Sequence, residues 1–186
     1  DFVAKVSKLL VTGIGVGDPV KDAKSGKNGD TAATAGTTVP AYSRGTQDIL
    51  RFLSYVTPYF NPSNVGSWTF TLGAFLHYFT YELCHRVGVA ASLELLKDKN
   101  PAVAKELIRV EPSQDFAVIP PHEIVVFLDV LLPLCQQALY SKNGHVGRAG
   151  EASMVYLSQI DPIRVTPPFV DFATRALDYS AVNLAH

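Results

Sequence analysis

The sequence has few charged residues and few cysteines, and each shortage argues against a class of protein. Charged residues occupy 18% of the 186 positions, below the roughly 25% of typical soluble domains, so much of the chain should be buried. The net charge of −1 argues against a nucleic-acid footprint, and we expect no direct nucleic-acid partner. The two cysteines, Cys84 and Cys135, are too few for a disulfide framework. They favour a reducing compartment and are predicted to be small core residues.

The glycine-rich stretch LLVTGIGVGDPVKDAKSGKNGDT, residues 9–31, lacks the spacing of the two common phosphate-binding loops. A dinucleotide fingerprint counted from Gly13 needs a glycine where Asp18 stands, and a carboxylate there would repel a pyrophosphate. A P-loop counted back from Gly26 needs a glycine where Lys21 stands. The lysine after Gly26 is also followed by asparagine rather than by serine or threonine. Both nucleotide-binding patterns therefore fail.

The composition of this stretch predicts a flexible loop instead. Residues 17–38 contain no aromatic residue and no large aliphatic residue beyond Val20. Such a segment cannot bury enough apolar surface to offset the entropy lost on ordering it. We therefore predict a flexible loop, rich in glycine, threonine, alanine and lysine, over residues 15–43.

No other catalytic or metal-binding pattern is complete. The His122-Glu123 pair resembles the start of a zinc-protease helix, but position 126 holds valine where that helix needs a second histidine. His77 and Cys84 lie two turns apart on one predicted helix, next to His85, and are too far apart to bind a metal without further ligands. We predict no catalytic, cofactor-binding or metal-binding residue, hence no enzyme and no cofactor.

Apolar residues recur at helical spacing along most of the remaining chain. The segment that begins at Phe2 and the segment that ends at Phe60 both have amphipathic patterns. Asn61 and Pro62 suit the cap and first turn of a long helix. Asn100, followed by proline, predicts the start of a short helix.

The last third of the chain has a clear helical pattern. Pro121 opens a strongly periodic helix, after which Gly144 suits a left-handed C-terminal cap. The next helix ends at Asp161, and the one after it is predicted to begin with Thr166 as its cap and Pro167 in its first turn. A connection of about six residues between them predicts antiparallel packing.

No run of strands and no repeated sequence word is visible. The pattern predicts an all-α fold, an irregular HEAT-like α-solenoid of antiparallel helix pairs with one long flexible loop, and residues 1–186 as a fragment of a larger solenoid. A closed helical bundle is the alternative. Residues 62–81 could span a bilayer by length, but their polar side chains favour a buried helix, and we expect no membrane. The predicted core residues are Phe52, Trp68, Phe75, Phe79, Phe127, Leu131, Phe169 and Phe172.

Two segments resemble a known family. They are YFNPSNVGSWTFTLGAFLHYFTYELCHR and ALYSKNGHVGRAGEASMVYLSQIDPIRVTPPFVDFATRALD. Their NPSN-x-G-x-W entry to a long helix, their Y-S-K helix end and their V-x-P-P helix start are similar to the middle region of the very large, single-chain HEAT-repeat proteasome activator. That family is the ATP-independent cap of the 20S core particle. The resemblance covers most of residues 44–186, and the glycine-rich loop carries no motif of the family.

The resemblance implies a structural segment of a hollow dome that caps the 20S proteasome core particle. Through the full-length chain, the dome promotes gate opening and peptide hydrolysis without ATP and without chemistry of its own. The resemblance also implies a location in nucleus and cytoplasm, a link to DNA repair and acetylated histones as partners. No residue of the family's activating tail is present to be assigned. The alternative is a HEAT-type scaffold or nuclear-transport adaptor with no proteasome role.

Overall fold

The computed structural model describes residues 2–18, 41–64, 66–103, 105 and 118–184. Residues 101–103 and 105 are helical, as the cap at Asn100 predicts. The regular elements of the described ranges are helices, so the predicted all-α fold is confirmed. They are α1 (Phe2–Gly13), α2 (Arg44–Val56), a 3₁₀ turn (Thr57–Phe60), α3 (Thr69–Lys99), α4 (Pro121–Leu139), α5 (Gly144–Ile160) and α6 (Pro162–Leu184).

The first row of helices consists of α1, α3 and α5. Helix α3 packs against α1 on one side and against α5 on the other. Thr80 Oγ1 donates to Ser153 Oγ at 2.9 Å, and Cys84 Sγ donates to Gln159 Oε1 at 3.3 Å. Because the residue numbers of both helices rise together along this interface, α3 and α5 are parallel.

The second row consists of α2, α4 and α6. Helix α2 contacts α4, and α6 contacts α4 at one point within the helix and at a second point just after its last residue. Arg164 forms an ion pair with Asp129 at 2.9 Å, and further along the ring of Phe172 lies 4.9 Å from that of Tyr140. These contacts make α4 and α6 parallel, while the short connection over residues 140–143 makes α4 and α5 antiparallel. Two rows of helices, in which α3 is parallel to α5 and α4 to α6, fit the predicted solenoid.

The core lies between the two rows. Phe79 is fully buried, and its ring lies 5.6 Å from that of Phe75 in the same helix and 6.2 Å from that of Phe127 in α4. Leu131 is buried one turn further along α4. The prediction that these four residues belong to the core is confirmed.

The other four predicted core residues lie nearer the surface. Phe52, Trp68 and Phe169 are exposed, and Phe172 is half-buried. Helical spacing identifies an apolar face, but neighbouring helices cover only part of that face. Cys135 is fully buried as predicted, whereas Cys84 is half-buried at the α3–α5 interface.

Two predicted helix starts are wrong because local hydrogen bonds decide otherwise. The long helix begins at Thr69 rather than after Asn61, whose Oδ1 accepts a hydrogen bond from the backbone N–H of Ser63 at 2.9 Å and forms a turn. The last helix begins directly after Asp161, whose Oδ1 caps the backbone N–H of Arg164 at 3.0 Å. The expected six-residue connection, with Thr166 and Pro167 opening the helix, therefore lies inside α6.

Gly144 is also placed differently from the prediction. It is the first residue of α5, where Asn143 Oδ1 accepts a hydrogen bond from His145 N–H at 3.0 Å. Among the described glycines, the left-handed conformation occurs at Gly15 and Gly17 instead. The chain therefore turns from α4 to α5 by capping the second helix rather than by a glycine at the end of the first.

Helix α4 is long and apolar enough, by length and composition, to cross a membrane, as judged over the described residues. A core helix of a packed protein has the same composition, and α4 contributes Phe127, Leu128 and Leu131 to the core. Of the uncharged segment 62–81, the part from Thr69 onward forms the start of α3 and contributes to that core.

Replacement of Phe79 by alanine tests the core. We expect Phe79→Ala to lower the free energy of unfolding by about 3–5 kcal/mol, because the lost ring leaves a cavity between α3 and α4. Phe70→Ala, in the same helix but exposed, should change it by less than about 1 kcal/mol. Urea denaturation followed by circular dichroism measures both, and equal losses would contradict this placement of the core.

Candidate functional site at the loop base

A buried carboxylate joins the start of α2 to the start of α4. Glu123 is 2% exposed. Its Oε1 accepts a hydrogen bond from Ser43 N–H at 2.8 Å, and its Oε2 accepts one from Thr46 Oγ1 at 2.6 Å, with Ser43 Oγ also within 3.3 Å. These donors, together with the positive end of the α2 dipole, offset the cost of burying a negative charge.

This contact completes a helix cap across the fold. Ser43 is the N-cap of α2, and its Oγ accepts a hydrogen bond from Thr46 N–H. In a local capping box, a glutamate at the third helical position bonds to the N–H of the cap residue. Here Thr46 holds that position, and Glu123 supplies the acceptor from 80 residues away in the chain.

The role of Glu123 escapes a sequence search for catalytic pairs. The neighbouring His122 ring stacks on that of Tyr42, with 6.0 Å between the ring centroids. His122 and Glu123 therefore have separate contacts and do not form a catalytic pair. Two sequence features together could have indicated this role. Glu123 is the acidic residue of the otherwise apolar PPHEIVVF run, and the N-cap candidate Ser43 has no acidic residue three positions later.

The same corner holds together the two ends of the predicted loop over residues 15–43. Gly45 N–H donates to Val16 O at 3.0 Å, and Gly15 N–H donates to Thr46 Oγ1 at 3.1 Å. Gly15 and Gly17 have φ angles of 76° and 93°, a region that glycine adopts without strain. We call residues 13–18 and 41–46, with Glu123, the loop base.

The loop base also requires a residue without a side chain at position 45. A Cβ added to Gly45 would lie 2.0 Å from the carbonyl oxygen of Gly13, so only glycine permits this approach. The predicted flexible loop over 15–43 thus has described ends that are hydrogen-bonded to each other. Its interior, residues 19–40, lies outside the described residues, and its flexibility stays a prediction.

The loop base is chemically unsuited to hold a phosphate. Glu123 Oε2 lies 3.8 Å from the position that a Cβ of Gly15 would occupy, and its negative charge repels an anion. The Gly15 N–H group is already bonded to Thr46. The glycines therefore shape the turn rather than a nucleotide site. Lys21 and Gly26, which bear on the P-loop pattern, lie outside the described residues.

The structure does not bring the three candidate metal ligands of α3 together. The His77 ring lies 5.6 Å from that of Tyr156, and the His85 ring stacks on Tyr81 at 6.2 Å, while Cys84 bonds across to α5. Within the ranges that the structure describes, no group of three or more histidine, cysteine or acidic residues could hold a metal ion.

The cysteine thiols are neutral rather than nucleophilic. Burial raises the pKa of the Cys84 thiol, and it raises the pKa of Cys135 to about 12. Because the thiolate is the reactive form, both groups are weak nucleophiles at neutral pH.

Clefts with mainly apolar linings open at the surface of the described residues, and two of them are large. One, of about 400 Å³, lies between α2, the 3₁₀ turn and α3, and its walls are two edge-to-face pairs, Phe52 with Phe75 at 5.7 Å and Tyr59 with Trp68 at 5.5 Å. The other, of about 750 Å³, lies between α3 and α5 beside Cys84. The walls of the first cleft are almost wholly apolar, whereas polar side chains, among them Cys84, His85 and Gln159, also line the second.

Comparison with known proteins places the chain in a family. The family model described as "Proteasome activator complex subunit 4, mid HEAT repeats region" matches residues 49–186. The chain belongs to this family. It is similar to the Arabidopsis thaliana protein described as "Proteasome activator subunit 4", with 26% identity over 128 residues, and the match covers 67% of this chain and 6% of that relative. No solved structure matches.

The boundaries of the mid HEAT region divide the chain at α2. The match begins at Ile49, inside α2, so α3 to α6 and the lining residues of both clefts belong to the region. Helix α1 and the glycine-rich stretch precede it. Glu123, from the mid HEAT region, therefore anchors a segment that the family model does not include.

Glu123→Ala tests the loop base. The substitution leaves Ser43 N–H and Thr46 Oγ1 without their buried acceptor, and we expect the free energy of unfolding to fall by about 1–3 kcal/mol. Glu123→Gln, which keeps one acceptor oxygen, should lose less. Glu94→Ala, which removes an exposed ion pair with Lys97, should change it by less than about 1 kcal/mol. Equal losses in urea denaturation for Glu94→Ala and Glu123→Ala would contradict a special role for Glu123.

Replacement of residues 19–40 by a short glycine-serine linker tests whether the loop base forms without the interior of the loop. The hydrogen bond from Gly45 N–H to Val16 O holds the two ends of the loop together. Each halving of loop length lowers the free energy of loop closure by only about 0.6 kcal/mol. We therefore expect the urea midpoint of unfolding to be unchanged or slightly higher. Calorimetric titration with ATP and NAD should give no binding before or after the replacement. Loss of the fold, or nucleotide binding that the replacement abolishes, would contradict this interpretation.

Proposed function

We propose that this chain forms part of the wall of a proteasome activator that caps the 20S core particle and promotes gate opening and peptide hydrolysis without ATP. The observation that carries the proposal is the match of the mid HEAT family model to residues 49–186, on a chain folded as two rows of helices. The relative's description as a proteasome activator subunit supports the same function.

The role proposed for this segment is passive. Each helix pair buries one face against the next pair, and the stacking angle of successive pairs sets the curvature of a solenoid wall. Two buried charged groups contact helix ends: Arg86 bonds to the last turn of α1, and Glu123 bonds to the cap of α2. Their role is therefore to hold neighbouring helices in position. Gate opening would then depend on the shape of the whole chain rather than on a reactive group in this part.

The partners and location proposed for the full-length chain follow the resemblance. We include association with the 20S core particle, acetylated histones as further partners, a link to DNA repair, and a location in both nucleus and cytoplasm. The chain spans 6% of the length of the curated relative, so each of these properties is proposed for the whole protein of which the mid HEAT region is a part.

Phe75→Ala in the full-length protein tests the structural role. Phe75 is buried between Phe52 and Phe79, and its truncation should cost about 3–5 kcal/mol. We expect this variant to lose association with purified 20S particles and to lose stimulation of peptide hydrolysis together. The exposed control, Phe70→Ala, should keep both.

Two outcomes would oppose the proposal. If Phe75→Ala folds and binds 20S particles like the wild type, the structural role of the core is wrong. If the wild-type full-length protein fails to pull down 20S particles, the HEAT-type scaffold or nuclear-transport adaptor becomes the better interpretation.

A further inference from the structure

Helices α3 and α5 are bonded to each other where each of them begins. Thr69 is the first residue of α3, and Asn143 is the N-cap of α5. Asn143 Nδ2 donates to Thr69 Oγ1 at 2.8 Å, and Thr69 Oγ1 donates to Gly66 O at 2.7 Å. We call the hydrogen bond between Asn143 and Thr69 the start joint. Because α3 and α5 are parallel, the start joint holds the two helix starts side by side.

The start joint depends on an asparagine that is followed by a glycine. In an Asn-Gly pair, the backbone nitrogen of the glycine can attack the side-chain amide carbon of the asparagine, since glycine has no side chain to hinder the approach. Gly144 is exposed, and a Cβ added to it would meet no atom within 4 Å. The first N–H groups of a helix have no acceptor within that helix. The attacking nitrogen of Gly144 is therefore unobstructed.

This reaction converts an amide into a carboxylate. A bond forms between Gly144 N and Asn143 Cγ, and the bond between Asn143 Cγ and Nδ2 breaks. Ammonia leaves with the protons of the Asn143 amide and the proton of the Gly144 N–H. Water from the solvent then opens the cyclic imide at either of its carbonyl carbons, which gives aspartate or isoaspartate.

The native geometry opposes the ring closure. The ring can close only when Gly144 N is eclipsed with Asn143 Cβ about the Cα–C bond, and the ψ angle of 111° at Asn143 holds these atoms far from that arrangement. Both ends of the side-chain amide are also bonded, Nδ2 to Thr69 and Oδ1 to the N–H of His145 at 3.0 Å. Ring closure therefore requires the start joint to open first.

We propose that Asn143 is a site of spontaneous deamidation, and that opening of the start joint controls its rate. The reaction removes the amide that donates to Thr69. The hydroxyl of Thr69 has a single proton, which cannot serve both Gly66 O and a new carboxylate. The aspartate product keeps an acceptor that caps α5 but loses the bond to α3. Deamidation therefore uncouples the starts of two neighbouring helices in the wall.

Peptide mapping of the full-length protein by mass spectrometry, after incubation at mildly alkaline pH, tests this proposal. Asn143 should convert at least about tenfold more slowly in the native protein than in urea, where the start joint is absent. Thr69→Val should accelerate the native conversion by about threefold to tenfold, as expected for the loss of one hydrogen bond. Thr69→Ser, which keeps the hydroxyl, should retain the wild-type rate.

Two controls separate the start joint from other effects. Thr174→Val removes an exposed hydroxyl that bonds within α6 to Val170 O, and it should leave the rate at Asn143 unchanged. Asn28 lies in the same Lys-Asn-Gly sequence as Asn143. In urea, both asparagines should therefore convert at the same rate.

Three results would overturn the proposal. Equal rates at Asn143 in the native protein and in urea would show that the fold gives no protection. A native rate in Thr69→Val that matches the wild type would show that the start joint does not control ring closure. Conversion of Asn28 without conversion of Asn143 in urea would show that Asn143 is unreactive. If Thr69→Val fails to fold, Thr69→Ala is measured instead, and its rate decides by the same criterion.

Discussion

The packing of α3 between α1 and α5 is the contact on which the rest of the structure depends. On one side, the buried Arg86 donates a hydrogen bond to the carbonyl oxygen of Val11, in the last turn of α1, where the helix dipole favours a cation. On the other side, Thr80 bonds to Ser153 of α5. Phe79 projects from the same helix toward α4. One long helix thus fixes the positions of three neighbours, and the two rows cannot shift independently.

The loop base adds a polar constraint to this apolar stack. Glu123 binds the start of α2 from the start of α4, so two successive helices of the second row are fixed at the same end. The predicted loop over residues 15–43 begins and ends at this point, where Gly45 packs closely against the backbone of Gly13. Its glycines are therefore required by backbone geometry at the two ends, while a binding role for them is opposed by the nearby carboxylate.

Much of the helical fold could be predicted from the sequence, because helical periodicity is a local property. The spacing of Phe75, Phe79, Phe127 and Leu131 identifies core residues that the structure confirms. The predicted helix starts at Asn61 and Thr166 are wrong because several adjacent residues can cap a helix, and the choice depends on which hydrogen bond forms. Phe52 and Trp68 have core spacing, yet no neighbouring helix in the described residues covers them fully.

The sequence by itself determined the helical class of this protein and its family resemblance, and periodicity identified half of the predicted core residues correctly. These depend on residues a few positions apart, whose relation is fixed by the geometry of a single helix. Only the tertiary structure decided that Glu123 caps α2 and that the two ends of the predicted loop over residues 15–43 meet. Those features depend on contacts between residues that folding brings together from distant parts of the chain, and no local pattern specifies which distant partner each residue will meet.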